Sequence, residues 1–485
     1  MPRRATSLPL TLPPRSPGTA AYVWLYDTIR EQVVNGRLEP GCRLPSTRDL
    51  ARQFGLSRGT AVTAFEMLLA EGYVESTSGS GTRVSRALPR AWRTTPAAAV
   101  ARGGAARRRL SAAARRIVAF PQHEAASHRA FRANQPALDL FPTQDWARAA
   151  ARTFRTASAS LLAGGDPLGY RPLRSAIAEY LAISRGVVCE PDRIAVVSGT
   201  QEALATIATL LVDPGDTVFI EDPGYGGASR VMHAIGARVQ SVAVDEDGAR
   251  VPPQRARATL AYLTPAHQFP LAVSMTMTRR LAWLKWARHS GAAIFEDDYD
   301  SEFRYGGHPV AALQGLDRDG SVVFAGSFSK VLYPSLRLGY LVLPQDLVDP
   351  AAAALSVMSR HASLSNQAVL ARFMADGHFA RHLRRMRDVY AERHAALIEG
   401  AHRWLDGRIQ VRPVNAGLQT VGMLPRGMDG ADLARRAAAR DVETVSIRRY
   451  ARTPLEQDGL QLGFAAVPPE EIARGLQVLA RVLGP

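Results

Sequence analysis

From about Leu138 to the C-terminus, short β-prone apolar runs alternate with helical runs, and no other feature restricts the fold as strongly. The β-prone runs include RIAVVSG, DTVFIED, AAIFEDDY, SVVFAGS and RLGYLVL, while AEYLAISRG and RRLAWLKWARHSG carry helical spacing. Strands joined through helices run parallel, with the helices laid over the sheet. The pattern therefore predicts an α/β domain with a mostly parallel sheet. At 485 residues the chain is long enough for two or three domains, at least one with a sizeable core.

The first quarter follows other rules. Residues 1–19 are basic and proline-rich and read as a disordered tail. From Ala20, an apolar stripe of Tyr22, Leu25, Tyr26, Ile29 and Val33 predicts a helix that Gly36 ends. Ser46 is an N-cap residue with Asp49 three positions on; the short helix after it offers Leu50, Ala51 and Phe54 and stops at Gly55. Ser57 caps a third helix, with Val62, Phe65, Leu68 and Leu69 on one face. Two β-prone runs, Tyr73–Ser76 and Thr82–Ser85, flank a Ser/Gly turn and predict a hairpin. Three short helices and a hairpin make one small α+β domain over residues 20–86. Residues 87–133 are rich in Ala, Arg, Pro and Gly, with ten basic and one acidic side chain. This is a linker without a core of its own, and it leaves residues 134–485 as the large domain.

Charge follows the same division. The formal net charge of +16 is uneven: residues 1–133 hold 21 basic and 8 acidic residues, the remainder 39 and 36. Only two of the 60 basic residues are lysines, Lys285 and Lys330, so each lysine stands out against an arginine background. No apolar run approaches the roughly 18 residues of a membrane span. The N-terminal apolar stretch is too short and proline-broken for a signal peptide. Cys42 and Cys189 match neither metal spacing nor a disulfide framework. These features point to a cytoplasmic protein without a metal site or a membrane partner.

The segment GRLEPGCRLPSTRDLARQFGLSRGTAVTAFEMLLAEGYVESTSGSGTRV resembles the winged helix-turn-helix of the GntR family, through LPS-x-R-x-LA, G-x-SR-x-T and G-x-GT-x-V. Such a module places the start of its second helix in the major groove, where Ser57, Arg58 and Thr60 gather here. Arg43, Ser46 and Arg48, at the preceding turn and helix start, suit the phosphate backbone. Gly79, Gly81 and Thr82 form the wing tip. The implied partner is double-stranded operator DNA; the linker arginines add phosphate attraction without sequence information.

Lys330 lies in VVFAGSFSKVLYPSLRLGYL, a buried β-run, a small polar turn, a lysine, and an arginine seven residues later. A nucleophilic lysine needs a rigid, partly dry setting, and a phosphate needs cations and hydroxyls nearby. The string resembles the Schiff-base lysine motif of fold-type I, class I aminotransferases, which implies pyridoxal 5'-phosphate bound at Lys330, with Ser327 and Arg337 beside it. The resemblance continues in order. Asp297 in IFEDDYDSEF corresponds to the aspartate that pairs with the pyridine nitrogen. Asp298 competes for that role, and the 33-residue spacing to Lys330 favours Asp297. Tyr299 would meet the phenolic oxygen and Tyr225 would stack on the ring. Gly199, Thr200 and Gln201 would receive the phosphate. Gln268, in TPAHQFP, is the polar contact expected from the ring-oxygen loop, and DPLGYRPLRSAIAEYL matches a family helix start. Lys285 sits on an amphipathic helix as a surface residue.

Three departures matter. Gln461, in GLQLGFAAV, stands where the family binds a substrate carboxylate with arginine; Arg448 and Arg449 are the candidates to replace it. Gly164 stands where a tyrosine reaches a neighbouring subunit, and Pro270-Leu271-Ala272 replaces a Pro-Thr-Gly turn. A DNA reader, a linker and an aminotransferase-like domain together resemble the MocR/GabR-type transcriptional regulators. That resemblance implies a large fold-type I α/β domain with a smaller C-terminal α+β subdomain, a homodimer, and an effector that is an amine or the cofactor itself. Gly227 and Gln461 occupy positions where GABA-responsive relatives carry arginines, so GABA is not the expected effector. Two rival readings are a working aminotransferase with an accessory DNA-binding head, and a constitutive nucleic-acid binder without cofactor.

Overall fold

Two serines open the helices of the N-terminal unit as their positions predict. Ser46 Oγ accepts from Asp49 N at 3.2 Å and Ser57 Oγ from Thr60 N at 3.1 Å, each satisfying a helix-start donor. The resulting elements are α1 (Ala21–Val34), α2 (Thr47–Gln53), α3 (Arg58–Ala70) and the antiparallel pair β1 (Val74–Thr77) and β2 (Gly81–Val84). The computed structural model describes residues 12–77, 81–87, 109–120, 129–306 and 311–484. These fall into two compact units, 1–109 and 110–485.

In the first unit Leu25, Ile29, Leu50, Phe65, Leu68 and Val84 close a small core. Leu12 packs against it and Pro13 O accepts from the Trp24 indole, so the end of the expected tail is structured; residues 1–11 lie outside the described residues. Tyr22 and Leu69, expected on the buried stripes, are about two-fifths exposed because each lies at the edge of its helical face.

In the second unit eight strands form one sheet, with β3 (Ile194–Val197), β4 (Thr217–Asp222), β5 (Arg238–Asp245), β6 (Gly248–Ala249), β7 (Leu260–Leu263), β8 (Ala293–Asp298), β9 (Val322–Ser327) and β10 (Gly339–Val342). Their order is β3-β10-β9-β8-β7-β4-β5-β6. The neighbours β9, β8, β7, β4 and β5 are parallel to one another, while β6 runs antiparallel to β5 and β10 antiparallel to both β9 and β3. The sheet is thus mixed but mostly parallel, as the alternating runs predict. The helices before and among these strands are α4 (Ala112–Arg116), α5 (Thr143–Arg155), α6 (Ala159–Ala163), α7 (Arg171–Arg185), α8 (Thr200–Leu211) and α9 (Gly226–Ile235). A smaller antiparallel sheet follows, of β11 (Gln410–Val411), β12 (Gln419–Met423), β13 (Val445–Ser446) and β14 (Gly459–Gly463) in the order β11-β12-β14-β13, with helices at 430–438 and 469–483.

Composition alone drew the linker too long. Ala130 and Phe131 are fully buried in the core of the large unit and form isolated bridges to Val442 and Gly463. Further upstream, α4 packs on α9: Arg116 Nε donates to Ala234 O at 3.2 Å, and the Arg230 guanidinium lies 4.9 Å from the Phe120 ring centre. Among the described residues no helix is long and apolar enough to cross a membrane.

Candidate cofactor site

In an open α/β sheet the carboxyl ends of parallel strands face a crevice, and loops there carry binding groups. Here Gly199 follows β3, Tyr225 follows β4, Gln268 follows β7, Asp297 is the next-to-last residue of β8, and Ser327 ends β9. Residues far apart in the chain therefore meet at one end of the sheet. Lys330 lies in the short helix Phe328–Val331, and its Nζ donates to Asn134 O at 2.9 Å. Burial pushes the Lys330 ammonium down to about 8, against the raising charges of Asp300 and Asp297.

The two candidate aspartates separate cleanly. Successive side chains on a strand point to opposite faces, so Asp298 meets Arg185 at 2.5 Å, both buried, while Asp297 turns to the other side. Asp297 Oδ2 accepts from the Tyr262 hydroxyl at 2.6 Å, and Oδ1 is buried without a hydrogen-bond partner. Burial pushes the Asp297 carboxyl up to about 7; the Tyr262 hydrogen bond pulls the other way.

Gly199 adopts φ +123°, a conformation L side chains rarely take, and so lets α8 start directly off β3 with its first N–H groups free of helical partners. A Cβ at Gly199 would sit 3.8 Å from the Arg337 guanidinium, which places that cation beside the helix start. Gln201 Nε2 donates to the Tyr225 hydroxyl at 3.1 Å. A Cβ at Gly227 would fall 2.4 Å from Gln201 Nε2 and 2.5 Å from the Tyr225 ring, so a larger residue there would break this contact. The Tyr299 hydroxyl lies 3.3 Å from His267 Nδ1, which also meets Asp300 at 2.9 Å. The Ser327 side chain is buried at the end of β9.

Gln268 has a different task from the expected one. Its amide nitrogen serves Glu221, Pro223 O and Phe269 O, and its Oε1 accepts from Leu271 N, so the side chain is committed to shaping its loop. Glu221 beneath it also receives Thr264 N and Oγ1, and burial pushes its carboxyl up to about 7. Residue patterns gave no sign of Tyr262, Asn134, Glu221 or His267. Tyr262 reaches Asp297 only through the register that sets β7 beside β8, and Asn134 reaches Lys330 across 196 residues of sequence. A groove of about 1090 Å³ between α5, α7 and the helices 364–375 and 378–405 contains none of these groups.

At the carboxylate position, Gln461 is fully buried on β14, and its Oε1 accepts from the Tyr450 hydroxyl at 2.9 Å. Arg448 is paired with Asp458 at 3.2 Å and Arg449 is exposed on the same turn. Gly164, in the place of the family tyrosine, follows α6 with φ +123°.

In the N-terminal unit Arg43, Ser46, Arg48, Ser57, Arg58 and Gly81 are exposed, and Thr60 and Thr82 half-buried. The Arg43 guanidinium lies against the wing, 3.0 Å from where a Gly81 Cβ would stand. The Ser46 and Ser57 hydroxyls serve as caps. Gly79 lies outside the described residues.

Comparison with known proteins agrees with this division. Residues 21–84 match the family of bacterial regulatory proteins, gntR family, and residues 130–479 match aminotransferase class I and II. The chain is 39% identical over 460 residues to a Rhizobium meliloti protein named probable rhizopine catabolism regulatory protein MocR, covering 94% of this chain and 92% of that one. It is 30% identical to the pyridoxine biosynthesis transcriptional regulator PdxR of Corynebacterium glutamicum, covering 95% of each. Among solved structures, LysN, an alpha-aminoadipate aminotransferase from Thermus thermophilus complexed with N-(5'-phosphopyridoxyl)-L-leucine, superposes with a TM-score of 0.69 at 28% identity. It covers 77% of this chain and 97% of LysN.

Pyridoxal phosphate is the cofactor of this fold, and the residues present fit it. The unpartnered Asp297 Oδ1 lacks the donor that a protonated pyridine nitrogen would be. Lys330 is a half-buried amine whose ammonium is held down by desolvation, and the start of α8 with Arg337 can hold a phosphate. With a gntR-type DNA-binding head and a class I and II aminotransferase domain on one chain, and relatives matched along nearly its whole length, the protein belongs to the MocR-type transcriptional regulators.

Proposed function

We propose that this protein is a cytoplasmic, homodimeric transcriptional regulator that binds operator DNA through its winged helix and senses an amine, or pyridoxal phosphate itself, at Lys330. The observation that carries the reading is a half-buried, lowered-pKa lysine that feels the charge of the buried, half-satisfied Asp297, in a chain that also holds a DNA reader. Bound pyridoxal phosphate supplies an aldehyde for amines and a ring that withdraws electrons. The chain's own residues would position it: Asp297 would hold the ring nitrogen's proton, Tyr225 would wall one face and Tyr299 would meet the phenolic oxygen. Gly199, Thr200, Gln201, Ser327 and Arg337 would take the phosphate. A ligand changes DNA affinity only by binding two domain arrangements unequally.

Arg230 is the group best placed to register that difference. Its guanidinium contacts Phe120 upstream and approaches Gly226, the residue after Tyr225: a Cβ there would lie 2.8 Å from an Arg230 nitrogen. Arg230→Ala is expected to leave cofactor absorbance intact but reduce the effector-induced change in DNA affinity several-fold, read by fluorescence anisotropy with and without amine.

On the DNA side, Arg58→Ala should cost roughly 1–3 kcal/mol of operator binding and relax sequence preference. Arg48→Ala should weaken all sequences alike and reduce the slope of log K against log salt by about one. Salt-dependent binding to the protein's own upstream DNA distinguishes the two. The rival, a working aminotransferase, is favoured by the full cofactor-side set and opposed by Gln461. Sustained turnover with a panel of amino and keto acids would establish it.

A further inference from the structure

Three buried glutamine amides belong to segments that meet around Lys330, and each has a nitrogen without a well-formed hydrogen bond: Gln135, which follows Asn134, Gln419, whose amide also interacts with the Tyr299 hydroxyl, and Gln461. Gln419 and Gln461 are fully buried, and Gln135 is 7% exposed. Gln419 pairs with Gly463 and Gln461 with Val421 across β12 and β14. Paired residues and residues two apart share a sheet face, so both amides stand on the same side. That side faces Lys330, because Gln419 Oε1 accepts from Asn134 N at 3.0 Å and Asn134 O holds Lys330 Nζ. Gln461 joins the same wall from the other end: its Tyr450 partner packs edge-on against Phe269 at 4.8 Å, and Phe269 in turn meets Tyr225 and Tyr299.

A buried amide N–H left unpaired is costly, and such groups are retained where a ligand completes them. The wall is also uncharged. Arg452 is committed to Ile220 O and Glu221 O, and Arg448 to Asp458. Asp297 and Asp300, whose charges reach Lys330, are buried there, which disfavours a second anion. A carboxylate would have to recruit Arg449 from its exposed turn. A hydroxyl needs no counter-ion, and it both accepts from an amide nitrogen and donates to an amide oxygen.

We propose that the effector is an amine whose far end bears neutral hydroxyl oxygens, an amino alcohol or amino polyol, bound by Gln135, Gln419 and Gln461, and not an amino acid. This rests on the proposed amine-sensing role of Lys330. Calorimetric titration of the full-length, pyridoxal-phosphate-loaded protein tests it, with 4-amino-1-butanol and 1-amino-1-deoxysorbitol set against 4-aminobutanoate and β-alanine. The hydroxylated amines should bind at least roughly tenfold more tightly. Gln461→Leu should weaken them by roughly tenfold, and Gln461→Arg should move the preference towards the carboxylates, with cofactor absorbance checking folding and loading in each variant. Carboxylates binding the unaltered protein as tightly as the alcohols, with Arg449→Ala abolishing that binding, would overturn the proposal, as would binding of neither class at millimolar concentration. Absence of cofactor absorbance in the unaltered protein before any amine is added would instead bring down the Lys330 reading itself.

Discussion

Lys330→Ala is expected to abolish the visible absorbance that the protein acquires with pyridoxal phosphate, leaving only weak, non-covalent retention through the phosphate-end contacts. The loss should be complete, because the other lysine, Lys285, is an exposed residue of the helix Met277–Ser290. Two further readouts separate loss of the amine from misfolding: an unchanged denaturation midpoint, and retained non-specific DNA binding. The pH dependence follows from the direction of the Lys330 shift. An amine bonds to an aldehyde only when neutral, and burial brings the folded ammonium from its ordinary 10.5 to about 8. Cofactor uptake by the apoprotein should therefore quicken as pH rises through about 8 and level off above it, well below where a free lysine would. Uptake that kept rising to pH 10 would show Lys330 to be solvent-like. A protein that coloured normally without Lys330 would remove the sensor reading altogether.

The second large effect lies behind the site. Arg185→Ala should destabilise the large domain by about 3–5 kcal/mol, because it strands Asp298 as a buried, uncompensated charge. Arg185 Nε and a terminal nitrogen both reach Asp298 Oδ2, at 2.7 and 2.5 Å, and neither side chain is appreciably exposed. Glu302 makes the site still more demanding. Burial first, and then the Asp298 charge, push its carboxyl up to about 8, while Arg185 pulls it down. The sign of the pH effect follows. A carboxyl whose folded pKa is raised costs stability above that pKa and regains it as pH falls through it. The difference between the Arg185→Ala variant and the unaltered protein should thus narrow as pH falls towards about 8 from the alkaline side, where the two folded states stop differing in Glu302 protonation, measured by urea denaturation. Arg185→Met combined with Asp298→Asn should recover most of the loss, since replacing both partners avoids the orphan charge. Equal instability in the double variant would mean that Arg185 acts through packing alone.

Both effects depend on the same acidic run, IFEDDYDSEF, where sequence and structure divide the work instructively. The spacing to Lys330 pointed to Asp297, and the pleat of β8 shows why only one of the neighbouring aspartates can face the lysine while the other faces Arg185. Nothing in the run itself indicates that Tyr262 holds Asp297, or that Asp298 needs an arginine 113 residues earlier. Local chemistry was legible; the partners were not.

The order of domains, the capped helices at Ser46 and Ser57, the mostly parallel sheet and the prominence of Lys330 are legible in the residues alone. Each of these rests on short-range periodicity, caps or composition, which act within a few residues of one another. Long-range packing is what brings Ala130 and Phe131 into the large domain's core, turns Gln268 to its own loop, and sets Asn134 O against Lys330 Nζ. It alone set Gln419 and Gln461 on one face of the β12–β14 pair, so that the missing arginine noticed at Gln461 gained a neighbouring amide. The physical reason is the same throughout. Hydrogen bonding and burial between distant segments depend on strand register and loop closure, and register is set by the packing of the whole sheet.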